Sequence, residues 1–209
     1  MDVNTLPVIN RSHLASKDVV KIAQYLLGKI IVSQINDQIC MGKIVETEAY
    51  RAPDDKASHA YLDKRTQRTE TMFGEAGKSY VYLIYGLHQM LNVVTGPKGS
   101  AHAVLIRAIE PMVGMDQMMN RRKGISNYNM TNGPGKLCKA LGISKSENDV
   151  DLCNMKSPLW IADQSLVKSS KILSGPRVGI GYAEECALWP WRFRIKKNPW
   201  SSLPHEVKY

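Results

Sequence analysis

Glu46, Glu48 and Tyr50 recur at every second position of KIVETEAYRAPDDKASHAY, residues 43–61, and His59 stands near the end of the same run. A carboxylate beside a reacting centre can stabilise a developing positive charge or take a proton from water. Residues at this spacing share a face only in a β-strand, where side chains alternate. Ile44, Glu46, Glu48 and Tyr50 then face one way and Val45, Thr47 and Ala49 the other, and only the second face reads plainly as core. The alternative is a surface strand with two solvated carboxylates, since most glutamates are exposed.

Two further runs supply what a site on that face would need. In KSYVYLIYGLHQMLNVV, residues 78–94, Tyr80 and Tyr82 share a face and Tyr85 falls at the bend before Gly86. Tyr80 reads as core packing. An aromatic at an exposed turn gains little from folding, and in a basic protein such a tip suits a wedge between base pairs. Arg107 in AHAVLIRAIEP shares its face with Leu105 and Ile109. A guanidinium among apolar neighbours is costly unless a carboxylate pairs with it, and Glu48 or Glu46 is the partner type available. The other reading is a strand-end arginine that reaches solvent.

The order of the elements that carry these residues suggests a mixed α+β domain with a curved, largely antiparallel, open-barrel-like sheet flanked by helices. Strands are expected at 29–35, 38–50, 78–96 with a turn near Gly86, and 101–109, with a final strand within 175–195. Helices are expected at 14–28, with Ser16 as N-cap and Gly28 at the end, at 115–122, and at 133–141 behind a Gly-Pro-Gly start. Residues 1–13 read as a poorly structured segment and 123–132 as a polar loop. A chain of 209 residues, 44% of them hydrophobic, is the size of one domain, so 1–209 is read as a single unit.

The net charge of +9 favours a polyanionic partner. The four cysteines are far apart and the histidines scattered, which argues against a local zinc site and for free thiols. The N-terminus does not read as a secretory signal, and no apolar run approaches a membrane span. These features point to a protein that is neither secreted nor membrane-bound.

Together the runs VETEAY, SHAY, MF, YVYLIYG, LNVVTG, LIRAIEP and NGPGKLCKAL, in this order, resemble the alkyladenine (3-methyladenine) DNA glycosylase family, from about Leu14 to NPWSS. The resemblance implies a base-excision-repair enzyme that acts on the minor-groove side of double-stranded DNA. Such an enzyme flips out a damaged purine and removes it hydrolytically, leaving an abasic site. 3-Methyladenine and 7-methylguanine are the implied alkylated substrates, with deaminated and etheno purines as a further class. Position by position, it places the catalytic acid on Glu48 and an arginine that helps hold the attacking water on Arg107. Tyr50, His59, Tyr82 and Asn92 match the base pocket, and Tyr85 the side chain of an inserting hairpin. Lys64, Arg65, Thr66, Arg68, Leu87, His88 and Lys136 match DNA contacts. Gln67 and Thr69 stand where many relatives have Pro and Asn, and Glu70 brings a negative charge toward the expected phosphates.

No lysine lies in the matched pocket runs, so no Schiff-base chemistry is expected, and no cofactor or metal is implied. One site per chain implies a monomer, working in the cytoplasm or nucleoid of a bacterium or the nucleus of a eukaryote. A glycoside hydrolase is a poor rival, because its two carboxylates must flank the scissile bond rather than sit side by side on one strand. A non-catalytic damaged-DNA-binding protein of the same fold is the other alternative. PRVGIGYAEECA, residues 176–187, superficially suits a phosphate-binding hairpin, although the resemblance sets its glycines near the lesion pocket.

Overall fold

Runs of β-branched and aromatic residues, broken by turns that only certain residues tolerate, fold this chain around one long strand. In the computed structural model, which describes residues 3–164 and 166–202, helices α1 (Arg11–Leu14) and α2 (Val19–Tyr25) precede strands β1 (Ile30–Ile35) and β2 (Gln38–Tyr50). Asn36 and Asp37 both adopt positive φ, the pairing that a tight hairpin between β1 and β2 requires. Strands β3 (Ser79–Ile84), β4 (His88–Thr95) and β5 (His102–Val113) follow, then helices α3 (Met115–Arg121) and α4 (Pro134–Leu141). Three short strands follow among the described residues: β6 (Leu159–Ala162), β7 (Ile172–Gly175) and β8 (Arg192–Ile195).

The result is one open antiparallel sheet in the order β3-β4-β5-β2-β1-β6, with β8 pairing both β2 and β7. This is the mixed α+β, single-domain architecture the sequence predicts. β1 covers one edge of β2 over residues 38–43, and β8 takes over that edge at Glu46, Thr47 and Glu48 while β5 runs along the other. The half of β2 that carries the glutamates is therefore flanked on both sides.

Two β-bulges aim the site. Ile44 faces Ile109, Glu46 faces Ala108 and Thr47 faces Ile106, so Val45 is an extra residue on β2 and Arg107 an extra residue on β5. A bulge resets which face a strand presents. Simple alternation put Ile44 with the glutamates and Ile109 with Arg107. Instead both isoleucines pack in the main core with Ala49, Ile106 and residues of α2 and α4. Thr47, on that core side, donates its hydroxyl to the Ala23 carbonyl of α2 at 2.8 Å.

Several boundaries differ from the expectation for physical reasons. Residues 3–13 are not loosely structured: Leu6 and Ile9 are buried, Val8 bridges Ala162, and the Ile9 N–H donates to the Ile161 carbonyl. The segment thus straps the outer side of β6. α2 starts later than expected because Asp18, not Ser16, accepts from the Lys21 N–H as N-cap. The final strand expected within 175–195 is β8, over the basic alternation at its end, and it is preceded by a kinked 3-10 segment, Gly181–Leu188. β6 and the greater part of β7 were not anticipated. Among the described residues no helix is long and apolar enough to cross a membrane.

Thr47→Val keeps shape but removes the hydroxyl that ties α2 to β2. Urea unfolding is expected to show a loss of about 1–2 kcal/mol, the cost of leaving a buried carbonyl without its donor. An unchanged midpoint would show that this hydrogen bond does not hold the helix to the strand.

Candidate active site

Glu46 and Glu48 are both fully buried, and every contact they make offers a donor. Glu46 Oε1 accepts from Arg107 Nε (2.9 Å), Arg192 Nε (2.7 Å) and the Ser202 hydroxyl (2.8 Å), while its Oε2 accepts from the Ser202 N–H (2.6 Å). Burial alone would push the Glu46 carboxyl up, but Arg107 and Arg192, joined by Ser202, hold it below the usual carboxylate range. Glu48 Oε2 accepts from the Tyr50 hydroxyl (2.8 Å) and Arg107 Nη1 (3.3 Å), and its Oε1 from the Val178 N–H (2.8 Å). Arg107 bridges the two carboxylates. Burial opposes its charge, yet Glu48 and Glu46 together raise its pKa.

A cavity of about 190 Å³ opens beside these groups, and Tyr50, Arg107 and Val178, the three donors to Glu48, all line it. Its walls are aromatic: Tyr50, His59, Tyr80 and Tyr82, with Asn92 beside them. The His59 and Tyr82 rings meet edge-on, with centroids 4.6 Å apart, and His59 Nδ1 pairs with the Tyr80 hydroxyl at 2.9 Å. Burial, with Arg68 adding to it, pushes the His59 imidazole down to about 4, so the ring is neutral at pH 7. Burial, reinforced by Glu48, raises the Tyr50 phenol well above its ordinary value, which keeps it a donor. Asn92 donates its amide to the Tyr80 carbonyl across the β3–β4 ladder (3.1 Å).

The β3–β4 hairpin stands at the cavity mouth. Tyr85 and Gly86 both have positive φ, and the Leu87 N–H closes the turn on Ile84. Tyr85 is 86% exposed and Leu87 79%, an apolar tip that the protein alone does not bury. His88 lies against the start of α4, where a Cβ on Gly135 would come within 3.0 Å of its side chain. Lys136, one residue on, donates to Asn132 Oδ1 at 2.7 Å. The hairpin tip and the α4 N-terminus thus form one surface.

The loop 64–70 divides its residues. Lys64, Arg65, Thr66 and Arg68 are all exposed. Arg65 pairs through Nε and Nη2 with Glu70 and rests over Phe73, so the acid at position 70 is matched by a cation within the loop. Buried Thr69 accepts the Thr66 N–H and donates to the Lys64 carbonyl, which fixes the turn. Arg68 leans inward instead, over the Tyr82 ring and 3.3 Å from His59 Nε2.

Sequence reasoning missed much of the support. Arg192 and Ser202, which hold Glu46, were not singled out, although the alternating basic residues of WRFRI were a faint signal for Arg192. Neither were Arg177 and Asp55, a fully buried bidentate pair. Tyr182, 68% exposed, lines the cavity with Gly179 and Ile180.

The family model for methylpurine-DNA glycosylase matches residues 13–199. A protein of Clostridium tetani is 47% identical over 194 residues, covering 89% of this chain and 95% of its own. Proteins of Clostridium perfringens and Desulfitobacterium hafniense are each 46% identical over 196 residues, covering 90% of this chain and 95% of theirs. All three carry the name "Putative 3-methyladenine DNA glycosylase". The matched span contains both carboxylates, the arginine between them and the whole aromatic cavity, and the chain belongs to the methylpurine-DNA glycosylase family.

Proposed function

We propose that the chain is a monofunctional glycosylase that rotates an alkylated purine, such as 3-methyladenine or 7-methylguanine, out of duplex DNA and hydrolyses its N-glycosidic bond at Glu48. The observation that carries this reading is the buried Glu48 carboxylate, whose three donors line an aromatic cavity beneath an exposed hairpin tip.

Rotating a base out of the duplex costs a few kcal/mol. Stacking on an aromatic face is worth about 1–3 kcal/mol per base, the right size to offset that cost. Tyr50, His59 and Tyr82 supply such faces, and Tyr85 is placed to fill the gap left in the stack. The exposed basic residues of the loop 64–70, Lys64 and Arg68, and Lys136 in the first turn of α4 suit phosphates on the minor-groove side, with the protein acting as a monomer.

As the C1′–N bond breaks, its electrons leave with the purine and positive charge spreads over the sugar. An ionised Glu48 stabilises that charge and accepts a proton from the water that adds to C1′. A carboxylate offers about four acceptor positions. Three are occupied here, and the fourth is the one the water would use. Alkylation at N3 or N7 makes the base a cationic leaving group that needs no acid. A neutral imidazole at His59 does not repel such a cation, and aromatic faces attract it. Deaminated and etheno purines lack that charge, so they are expected to be excised more slowly.

Glu48→Gln preserves shape and removes the base. It should bind lesion duplex as the wild type does while single-turnover excision falls by at least about 10²-fold, and near-normal excision would sink the assignment. Because no amine attacks the sugar, borohydride added during turnover should trap no covalent protein–DNA adduct. A trapped adduct would mean a lyase.

His59 also ties stability to pH. Its folded value of about 4 lies below the ordinary 6.5, so as pH falls the unfolded chain takes up the proton first. The stability present above pH 6.5 is then lost progressively down to about pH 4. His59→Gln should flatten the slope of unfolding free energy against pH in that window, and identical slopes would contradict a buried neutral imidazole.

A further inference from the structure

We propose that Arg177, which makes no hydrogen bond to Glu48 itself among the described residues, is the positioning residue that fixes the Glu48 carboxylate; the inference rests on the reading of Glu48 as the group that activates water. The Arg177 guanidinium is fully buried and held from four directions. Nη1 donates to Asp55 Oδ2 (2.5 Å) and the Ala49 carbonyl (2.8 Å), and Nη2 to Asp55 Oδ1 (2.8 Å) and the Cys186 carbonyl (3.1 Å). Its carbon lies 4.7 Å from the centre of the Tyr50 ring and 5.3 Å from that of Trp191.

These contacts converge on Glu48 without touching it. The Ala49 carbonyl belongs to the next residue along β2. The Tyr50 ring carries the hydroxyl that Glu48 accepts, and the residue after Arg177 supplies the Val178 N–H. Of the three donors to Glu48, two are therefore set by where one guanidinium sits. Asp55 in turn is fixed by the Ala57 N–H (3.0 Å) and the Arg51 N–H (3.3 Å), so the carboxylate that anchors Arg177 is itself held in place.

A structural role alone accounts poorly for this choice of residue. A buried ion pair contributes little net stability over an apolar packing of the same volume. Arg177 moreover leaves its buried Nε without a partner among the described residues, a defect an apolar side chain would not carry. What a planar fork provides is direction: two parallel hydrogen bonds to one carboxylate fix the plane of the group, and the guanidinium so held lies over the Tyr50 ring. A lysine would keep the charge and lose the plane.

The test compares wild type, Arg177→Lys, Tyr50→Phe and the double variant by single-turnover excision at saturating protein, alongside affinity for the same lesion duplex and the unfolding midpoint. Arg177→Lys is expected to slow excision on the order of 10–100-fold, the size of a sub-ångström to ångström misplacement of a reacting group, with affinity nearly unchanged. Its loss should be less than additive with that of Tyr50→Phe, since both act on the same carboxylate. Asp55→Asn, which keeps the arginine but weakens its anchor, serves in the same comparison should Arg177→Lys not fold. Wild-type excision rates in these variants, rate losses that only follow lost affinity, or full additivity with Tyr50→Phe would overturn the positioning role. A wild-type protein that releases no base would remove the reading beneath it as well.

Discussion

Two carboxylates one strand repeat apart, both stripped of water, must share the interior with only as much positive charge as the fold can bring to them. Each ion would cost several kcal/mol if left unpaired. Arg107 answers both at once, and it reaches them as the extra residue of a bulge on β5 that lies next to a bulge on β2. The remaining demand brings in the end of the chain. β8 must pair with β2 at residues 46–48 to deliver Arg192, and the segment after β7 must cross the cavity to deliver the Val178 N–H. Much of the topology beyond α4 can be understood as the means of satisfying these two side chains.

The two glutamates differ in what they leave open. Glu46 is enclosed by two arginines and a serine, so it acts as a fixed counter-ion that holds Arg107 in place. Glu48 accepts from three donors that form the wall of the aromatic cavity. Dipoles and charges fixed in advance around a reacting group lower the barrier because nothing need reorganise when charge develops. On the proposed reading of Glu48, stability spent on Glu46 becomes preorganisation at Glu48.

Local pattern carried the centre of this structure and little of its periphery. The bounds of β2, the hairpin with Tyr85 at its tip, and the need of Arg107 for a carboxylate were all legible, because each follows from residues close in sequence. The faces of Ile44 and Ile109 were not, since a single inserted residue reverses the alternation and leaves no mark in composition. β6 and β7, at four residues each, are too short to show a period, and they pair only because longer strands offer them an edge. Arg177 and Asp55 meet across 122 positions, and Arg192 and Glu46 across 146, so no spacing could have linked them. The N-terminal strap was missed for a similar reason: Leu6 and Ile9 have no helical or strand period and are ordered by burial against β6.

Duplex DNA methylated on its purines, incubated with the wild-type protein and separated into released small molecules and residual strands, puts the carboxylate-and-cavity chemistry to its plainest trial. Free 3-methyladenine or 7-methylguanine should appear with one abasic site left per base released and with the strands unbroken. Bound DNA that yields no free base, or damage released only as nucleotides from cut strands, would contradict it.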